Sequence, residues 1–211
     1  MANTRNIEIL ERETIKGYFM FYNELADKYP EAEIVYSTEE GRNRKNYLIK
    51  ILKKNPNLLT LDLGCNNGHY KPYINRYVGL DIASSCLSKF KAPRLQALAQ
   101  QLPFRKNTFE RIFASEVLEH IWNRKKVLSE CRRILKPNSE IILSVPYGKN
   151  PYGMRPRSGT KRHKKYGVNY IPYIHGKFSK EDVTFLLENN GFYVNNVDQI
   201  GKCNIVAVGI K

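Results

Sequence analysis

The sequence predicts an α/β protein built on an open, doubly wound and mostly parallel β-sheet. Short apolar runs with the length of buried strands alternate along the chain with helical segments. The first sheet run is followed at once by a glycine-punctuated turn, in the stretch LLTLDLGCNNGHY at 58–70. Sheets of this class bind ligands beyond the carboxyl ends of their strands, near the point where the strand order reverses. We therefore expect a ligand site at this turn.

The individual elements follow from apolar periodicity and from end signals. A capping box beginning at Ser37 opens one predicted helix, Lys136-Pro137-Asn138 closes another, Gly191 ends the last helix, and Gly201 joins the last two strands. Helices are predicted at residues 7–28, 37–54, 84–91, 123–135 and 179–190. Strands are predicted at residues 58–63, 77–81, 94–97, 111–115, 140–145, 192–199 and 204–210.

Length and composition predict one globular domain. The 211 residues are 42% hydrophobic, and no apolar run approaches the roughly 18 residues of a membrane span. The first residues are charged and include no apolar segment, so we expect no secretory signal. Four cysteines are scattered without any CxxC pair, which indicates reduced thiols and a cytoplasmic protein. They are Cys65, Cys86, Cys131 and Cys203.

The chain carries a formal net charge of +15, from 35 basic and 20 acidic residues. This surplus favours polyanionic partners such as nucleic acid or phosphorylated metabolites. A well-solvated basic surface explains the same charge without any partner, so the charge alone identifies no ligand.

The glycine turn excludes two common phosphate-binding loops. A Walker A loop requires Lys after its second glycine, and here His69 follows Gly68. The dinucleotide fingerprint GxGxxG requires glycine at the position of Asn66. The remaining pattern is acid-x-G-x-(G/N)-x-G, from Asp62 to Gly68. It resembles motif I of the class I S-adenosylmethionine-dependent methyltransferases, with Asn66 in place of the usual glycine; asparagine tolerates positive φ better than most residues.

Further segments extend this resemblance over residues 58–146. The strand Tyr77–Ile82 carries an acid, Asp81, nineteen residues after Asp62. Downstream, Leu102-Pro103-Phe104, Phe109-Glu110, Leu118-Glu119-His120 and Arg133–Pro137 are similar to the family's LPF, FD, LEH and R-x-LKP segments in the same order. The resemblance is to the methyltransferase type 11 domain. It implies a Rossmann-like sheet of seven strands whose last strand is antiparallel, within a single domain, 1–211.

The resemblance also implies S-adenosylmethionine as the cofactor and a set of residues that bind it. Its methionine part would lie over the loop Gly64–Gly68, with Asp62 facing the amino group and Asp81 binding the ribose. Leu98 stands where the family often has an acid for the adenine amine, which makes Gln100 and Gln101 candidates for that contact. The full predicted set is Asp62, Gly64, Cys65, Asn66, Gly68, Asp81, Ile82, Ala99, Leu102 and Ser115.

Methyl transfer needs in-line placement of the acceptor, and a general base only when the acceptor holds its proton tightly. His120 and His175 are the catalytic candidates, although a lone histidine is as often structural. On a helical turn, Glu116, Glu119 and His120 would share one face and could bind a divalent ion together with His175. Similar LEH segments occur in metal-free members of the family, so no metal is included in the predicted site.

The acceptor is expected to be chosen by the segment from Tyr147 to Gly176, which joins two elements and contains no acid. We expect this segment to act as a basic lid, opposite an N-terminal helical cap formed by residues 1–55. The leading hypothesis is an anionic small-molecule, sugar or lipid-linked acceptor; tRNA bound through residues 149–165 and a non-catalytic cofactor-binding scaffold are the alternatives. The basic residues are Lys149, Arg155, Arg157, Lys161, Arg162, Lys164 and Lys165, interleaved with Tyr147, Tyr152, Tyr166, Tyr170 and Tyr173.

Overall fold

The computed structural model describes residues 15–17, 19–28, 35–121, 123–148, 157–158, 170–171 and 176–211. Within them, seven strands form one mixed sheet: β1 (Leu59–Leu63), β2 (Arg76–Asp81), β3 (Arg94–Gln96), β4 (Phe109–Ser115), β5 (Leu135–Pro146), β8 (Tyr193–Ile200) and β9 (Asn204–Ile210). Two further strands, β6 (Arg157–Ser158) and β7 (Tyr170–Ile171), pair with each other apart from this sheet.

The order of the large sheet is β3-β2-β1-β4-β5-β9-β8. Neighbours from β3 to β5 are parallel, and β9 runs antiparallel to both β5 and β8. This topology confirms the predicted doubly wound sheet of seven strands with an antiparallel last strand. The strand order reverses between β1 and β4, which places the expected ligand crevice there.

Helices cover both faces of the sheet. They are α1 (Glu39–Leu52), α2 (Ser84–Leu87), α3 (Arg124–Ile134) and α4 (Lys180–Glu188), with single 3-10 turns at Lys71–Tyr73 and Leu118–His120. Residues 15–17, 19–28 and 35–37 are also helical; the part of the first predicted helix before residue 15 lies outside the described residues. No helix in the described part of the chain is long and apolar enough to cross a membrane.

Three of the element ends that differ from the sequence prediction illustrate the physical reasons. The cap of α1 is Thr38, whose side chain accepts from the N–H of Gly41, so the capping box predicted from Ser37 does not form. The predicted helix 84–91 is limited to a single turn, α2, followed by irregular chain. The segment after α3 is already strand: Leu135 is extended, with ψ 141°, and pairs with Phe109, so β5 begins well before residue 140.

The sheet is buried on both faces, which explains why its central strands are almost continuously apolar. On β4, Ile112 packs into the cluster that includes Val127 and Leu128 of α3. The next residue, Phe113, packs on the other face with Leu48 and Leu52 of α1. Because the two helices are fixed on opposite faces of the same strands, they hold the strand ends rigidly around the crevice.

Candidate functional site

A cavity of about 430 Å³ lies at the carboxyl ends of β1, β2 and β4. This volume is in the range of small-molecule and cofactor pockets. Tyr22 and Leu25 of the N-terminal helix form part of its wall. The wall includes nine of the residues predicted from the sequence: Asp62, Gly64, Cys65, Asn66, Asp81, Ile82, Ala99, Ser115 and His120.

The loop after β1 curves tightly because three of its residues have left-handed backbone conformations. Gly64, Asn66 and Gly68 have φ values of +71°, +47° and +74°. A Cβ on Gly64 would also lie 2.4 Å from Cγ2 of Val117, so the loop packs against the second residue after β4. Asn66 adopts the conformation that its position requires, as expected for asparagine. Sequence patterns gave no signal for the supporting role of Val117.

Asp81 ties the end of β2 to this loop. Its Oδ2 accepts from the N–H of Asn66 at 2.8 Å, and its Oδ1 accepts from the N–H of Ala83 at 2.9 Å. Burial raises the pKa of Asp81, and these backbone hydrogen bonds oppose the rise. Each carboxylate oxygen has a second lone pair, so Asp81 can bind ligand hydroxyls while it holds the loop.

Asp62 is a buried acid in the floor of the cavity, with 2% of its surface exposed. The Tyr77 hydroxyl donates to its Oδ2 at 2.9 Å. Burial raises the pKa of Asp62 to about 7, with the Tyr77 hydrogen bond lowering it and Asp81 raising it further. A cationic group bound beside Asp62 would favour the ionised carboxylate.

At the β3 side of the cavity, Leu98, Ala99 and Gln100 form the wall. The side-chain Nε2 of Gln100 is buried and has no hydrogen-bond partner among the described residues. Two predicted residues do not reach the cavity: Leu102 is packed in the main apolar core, and Gly68 lies behind the loop, where its Cβ would meet the ring of Phe90 at 2.8 Å. Ile82 therefore lines the cavity without Leu102, although both belong to the predicted cofactor-binding set.

The segment after β4 does not form the helical face predicted for Glu116, Glu119 and His120. Glu116 has φ +58°, outside the 3-10 turn Leu118–His120 that contains the other two residues. Its carboxylate instead lies 3.0 Å from Nη1 of Arg44 and accepts from the Ser144 hydroxyl at 3.0 Å. In the described part of the chain no group of three or more His, Cys, Asp or Glu residues could hold a metal ion.

His120 lies in the cavity wall, next to the end of β4. Its ring packs edge-on against Tyr22, with the ring centroids 5.7 Å apart, and its Nε2 is 3.8 Å from Oε1 of Glu119. The second histidine candidate, His175, lies outside the described residues, as does nearly all of the predicted basic lid. The site therefore contains one histidine candidate whose surroundings are defined.

Comparison with known proteins shows what the part of the chain around this cavity is similar to. Residues 61–143 match the family model described as "Methyltransferase domain". An uncharacterized protein of Methanocaldococcus jannaschii is 31% identical over 139 residues, which are 64% of this chain and 56% of that protein. The human protein "Arginine-hydroxylase NDUFAF5, mitochondrial" is 29% identical over 150 residues, which are 66% of this chain and 43% of that protein. The chain thus spans about half the length of these relatives.

Solved structures show the same fold. An S-adenosylmethionine-dependent methyltransferase from Mesorhizobium loti superposes with a TM-score of 0.62 and 12% sequence identity, covering 78% of this chain and 96% of that one. Together with the family match, this confirms the resemblance to the type 11 methyltransferase domain and its Rossmann-like class I fold. The family implies S-adenosylmethionine as the cofactor.

The residues present fit this cofactor. The left-handed loop leaves its backbone open to the cavity at Gly64, where a side chain would be excluded by Val117. The amide of Gln100, whose buried Nε2 has no partner in the described part of the protein, matches the paired donor and acceptor edge of adenine. Asp62 and Asp81 supply acids where an amino group and a ribose would bind. The wall thus offers complementary groups for the amino group, the ribose and the adenine of the cofactor.

Proposed function

We propose that the protein is an S-adenosylmethionine-dependent methyltransferase that acts on an anionic small-molecule, sugar or lipid-linked acceptor. One observation carries the proposal: Asp81 binds the N–H of Asn66 in the left-handed loop after β1. This bond joins the acid at the end of β2 to the backbone of the loop after β1. Both then lie at the same cavity, at the point where the strand order reverses.

The cofactor supplies a methyl group on a sulfonium, which is already a good leaving group, so the protein's task is mainly positioning. We assign binding of the amino group to Asp62, of the ribose to Asp81, and of the adenine edge to Gln100 and the backbone at Ala99. Gly64, Cys65 and Asn66 provide the backbone surface for the methionine part. Ile82 and Ser115 complete the wall on either side.

His120 is the proposed general base for an acceptor that carries a hydroxyl. It lies in the cavity wall beyond β4, with its Nε2 3.8 Å from Oε1 of Glu119. His175 is retained as a second candidate from the sequence alone. Substitution of His120 by Asn is expected to lower the methyl-transfer rate while leaving cofactor affinity unchanged, if the acceptor is an alcohol.

The net charge of +15 and the acid-free segment 149–165 favour tRNA as the second candidate acceptor. RNA can be separated from small molecules and lipids by fractionation, and only RNA is degraded by nuclease. Methyl-labelled cofactor would be incubated with the protein and with separate RNA, lipid and small-molecule fractions of a cell extract. Label in the small-molecule or lipid fraction is expected, whereas nuclease-sensitive label would favour tRNA.

Two further outcomes would contradict the proposed reaction. Cofactor binding without transfer to any fraction would favour the non-catalytic scaffold. Substrate hydroxylation without label transfer would indicate the chemistry named for the human relative. We also propose a cytoplasmic location, because the four cysteines, all of them in the described part of the chain, form no disulfide and three of them are buried.

A further inference from the structure

The end of the sheet opposite the cavity is strongly basic. It is formed by the helix ends and loops that precede β1, β2, β4 and β5, and by the end of β9, which runs antiparallel to β5. Since β4 has seven residues, this end lies about 20 Å from the cavity at about 3.3 Å per residue. The exposed basic residues that the structure places there are Lys53, Lys54, Arg76, Arg105, Lys106 and Arg132.

Acidic side chains do not balance the charge of this basic end. Glu110, Glu130 and Glu140 lie there, and each is already paired with a basic side chain. Glu188, at the end of α4, forms no ion pair among the described residues. Apart from Arg76, none of the exposed basic residues of this end pairs with an acid in the described part of the chain. The surface therefore carries uncompensated positive charge, which attracts polyanions.

Bonds between separate elements hold some of these charges close together. Nε of Arg132, on α3, donates to the carbonyl of Gly191 at 3.1 Å, shortly before β8. Nζ of Lys211 donates to Oδ1 of Asn107 at 2.8 Å, shortly before β4. Burial lowers the pKa of Lys211, and the charge of Arg132 lowers it further. The folded protein thus keeps like charges near each other against their repulsion, and a bound polyanion would relieve that repulsion.

Exposed amide and aromatic side chains lie among the cations. Nδ2 of Asn75 donates to Oδ1 of Asn57 at 2.7 Å, which leaves Oδ1 of Asn75 and Nδ2 of Asn57 for a ligand. Tyr193 begins β8 and is 73% exposed; it pairs with Ile210, the neighbour of Lys211. Amides bind the phosphates and sugars of nucleic acids, and an exposed aromatic ring can stack on a base.

We propose that this basic end binds a single strand of RNA, through its phosphates and a base stacked on Tyr193, separately from the methyl-transfer cavity. The cations extend from β2 across β1, β4 and β5 to β9, which is about 19 Å at a strand spacing of about 4.8 Å. A row of this length fits a chain of phosphates better than one phosphate group. Amides can also donate to and accept from 2′-hydroxyls, which favours RNA over DNA.

The test compares two triple variants that lose the same charge from opposite ends of the sheet. The first combines Lys54→Gln, Arg105→Gln and Lys106→Gln, whose exposed side chains form no hydrogen bond or ion pair with the described residues. The control combines Lys125→Gln, Lys126→Gln and Lys180→Gln, which are exposed in the first turns of α3 and α4, at the cavity end. Urea unfolding of both variants should match the wild type, because surface substitutions of this kind change stability little.

Fluorescence anisotropy of a labelled oligouridylate of about 12 nucleotides measures binding at several salt concentrations. The first triple variant should bind at least about tenfold more weakly than wild type near 0.1 M salt, and its salt dependence should be less steep by about 2 in logarithmic slope. The control variant should bind like the wild type. Tyr193→Ala should bind about tenfold more weakly with an unchanged salt slope, because it removes stacking and no charge.

The inference is overturned if the two triple variants weaken RNA binding equally, since the net charge alone would then explain it. Wild-type affinity in the first triple variant would place RNA binding elsewhere on the chain. Equal affinity for the matching DNA strand would contradict recognition of RNA, and tighter binding to phosphatidylserine vesicles or polyglutamate at the same salt would indicate a membrane or an acidic protein. None of these results depends on cofactor binding, so the inference stands or falls separately from the proposed function.

Discussion

At the scale of single residues, Asp62 shows how burial changes the ionisation of a carboxyl group in the cavity floor. The carboxyl is 2% exposed, and burial raises its pKa from 3.8 to about 7 despite the hydrogen bond from Tyr77. The folded protein therefore holds a proton on Asp62 at pH values where the unfolded chain has lost it. Between about pH 4 and 7 this group makes the free energy of unfolding fall as pH rises.

We predict that Asp62→Asn removes this contribution, because an amide cannot ionise and can still accept from the Tyr77 hydroxyl. Relative to wild type, the variant should gain stability as pH rises through this window, by up to about 4 kcal/mol. Urea unfolding of both proteins at a series of pH values measures the difference. A constant difference between pH 4 and 8 would mean that Asp62 ionises normally in the folded state.

The same residue should couple cofactor binding to protons. If the amino group binds beside Asp62, it lowers the pKa of the carboxyl, so binding near pH 6.5 should release protons. Calorimetry of S-adenosylhomocysteine in two buffers of different ionisation enthalpy measures that release. It should disappear in Asp62→Asn, and equal release in both proteins would place the amino group elsewhere.

Gly64 is the residue at which the loop tolerates least change. We predict that Gly64→Ala loses about 1–2 kcal/mol of stability from its positive φ, and also loses cofactor binding, because the new Cβ meets Val117. Gly191→Ala is the matched control: Gly191 also has a positive φ, of +76°, but its Cβ would meet only the flexible side chain of Arg132, away from the cavity. It should lose no more stability than Gly64→Ala, because its new Cβ meets only a flexible side chain, and it should keep cofactor affinity. Equal affinity in the two variants would contradict a ligand role for the loop.

At the scale of elements, the sequence predicted the strands and helices whose signals lie in local sequence patterns. The strands at Leu59–Leu63, Arg76–Asp81 and Asn204–Ile210 have distinct apolar runs, and the helix Lys180–Glu188 begins at a recognisable cap. The missed features depend on tertiary contacts. Glu116 leaves the helical turn because Arg44, far away in sequence, binds its carboxylate, and Leu102 lies in the core because α3 packs beneath it. No local pattern records either contact.

The cap of α4 gives a prediction at this scale. Ser179 accepts from the N–H of Asp182, and Asp182 in turn accepts from the N–H of Ser179, so the two bonds form a reciprocal capping box. Ser179→Ala should cost about 1 kcal/mol of unfolding free energy, measured in urea, and leave cofactor affinity unchanged. A change in cofactor affinity would show that α4 communicates with the cavity.

At the scale of the whole molecule, the net charge of +15 contrasts with the acids that line the cavity. We predict that bulk tRNA binds weakly, with an affinity that falls linearly against the logarithm of the salt concentration. S-adenosylhomocysteine should neither strengthen nor weaken this binding. Coupling between the two ligands would be reciprocal, so tRNA binding that strengthens with S-adenosylhomocysteine would favour the tRNA alternative.

The central claim is that the crevice between β1 and β4 is built for S-adenosylmethionine. Calorimetric titration of the wild type with S-adenosylmethionine, S-adenosylhomocysteine and NAD tests it most directly. The account predicts saturable binding of the first two, no binding of NAD, and binding at least about tenfold weaker in Asp81→Asn, which loses an acid from the ribose position. Absence of binding by folded wild-type protein, or equal affinity for NAD, would contradict the account.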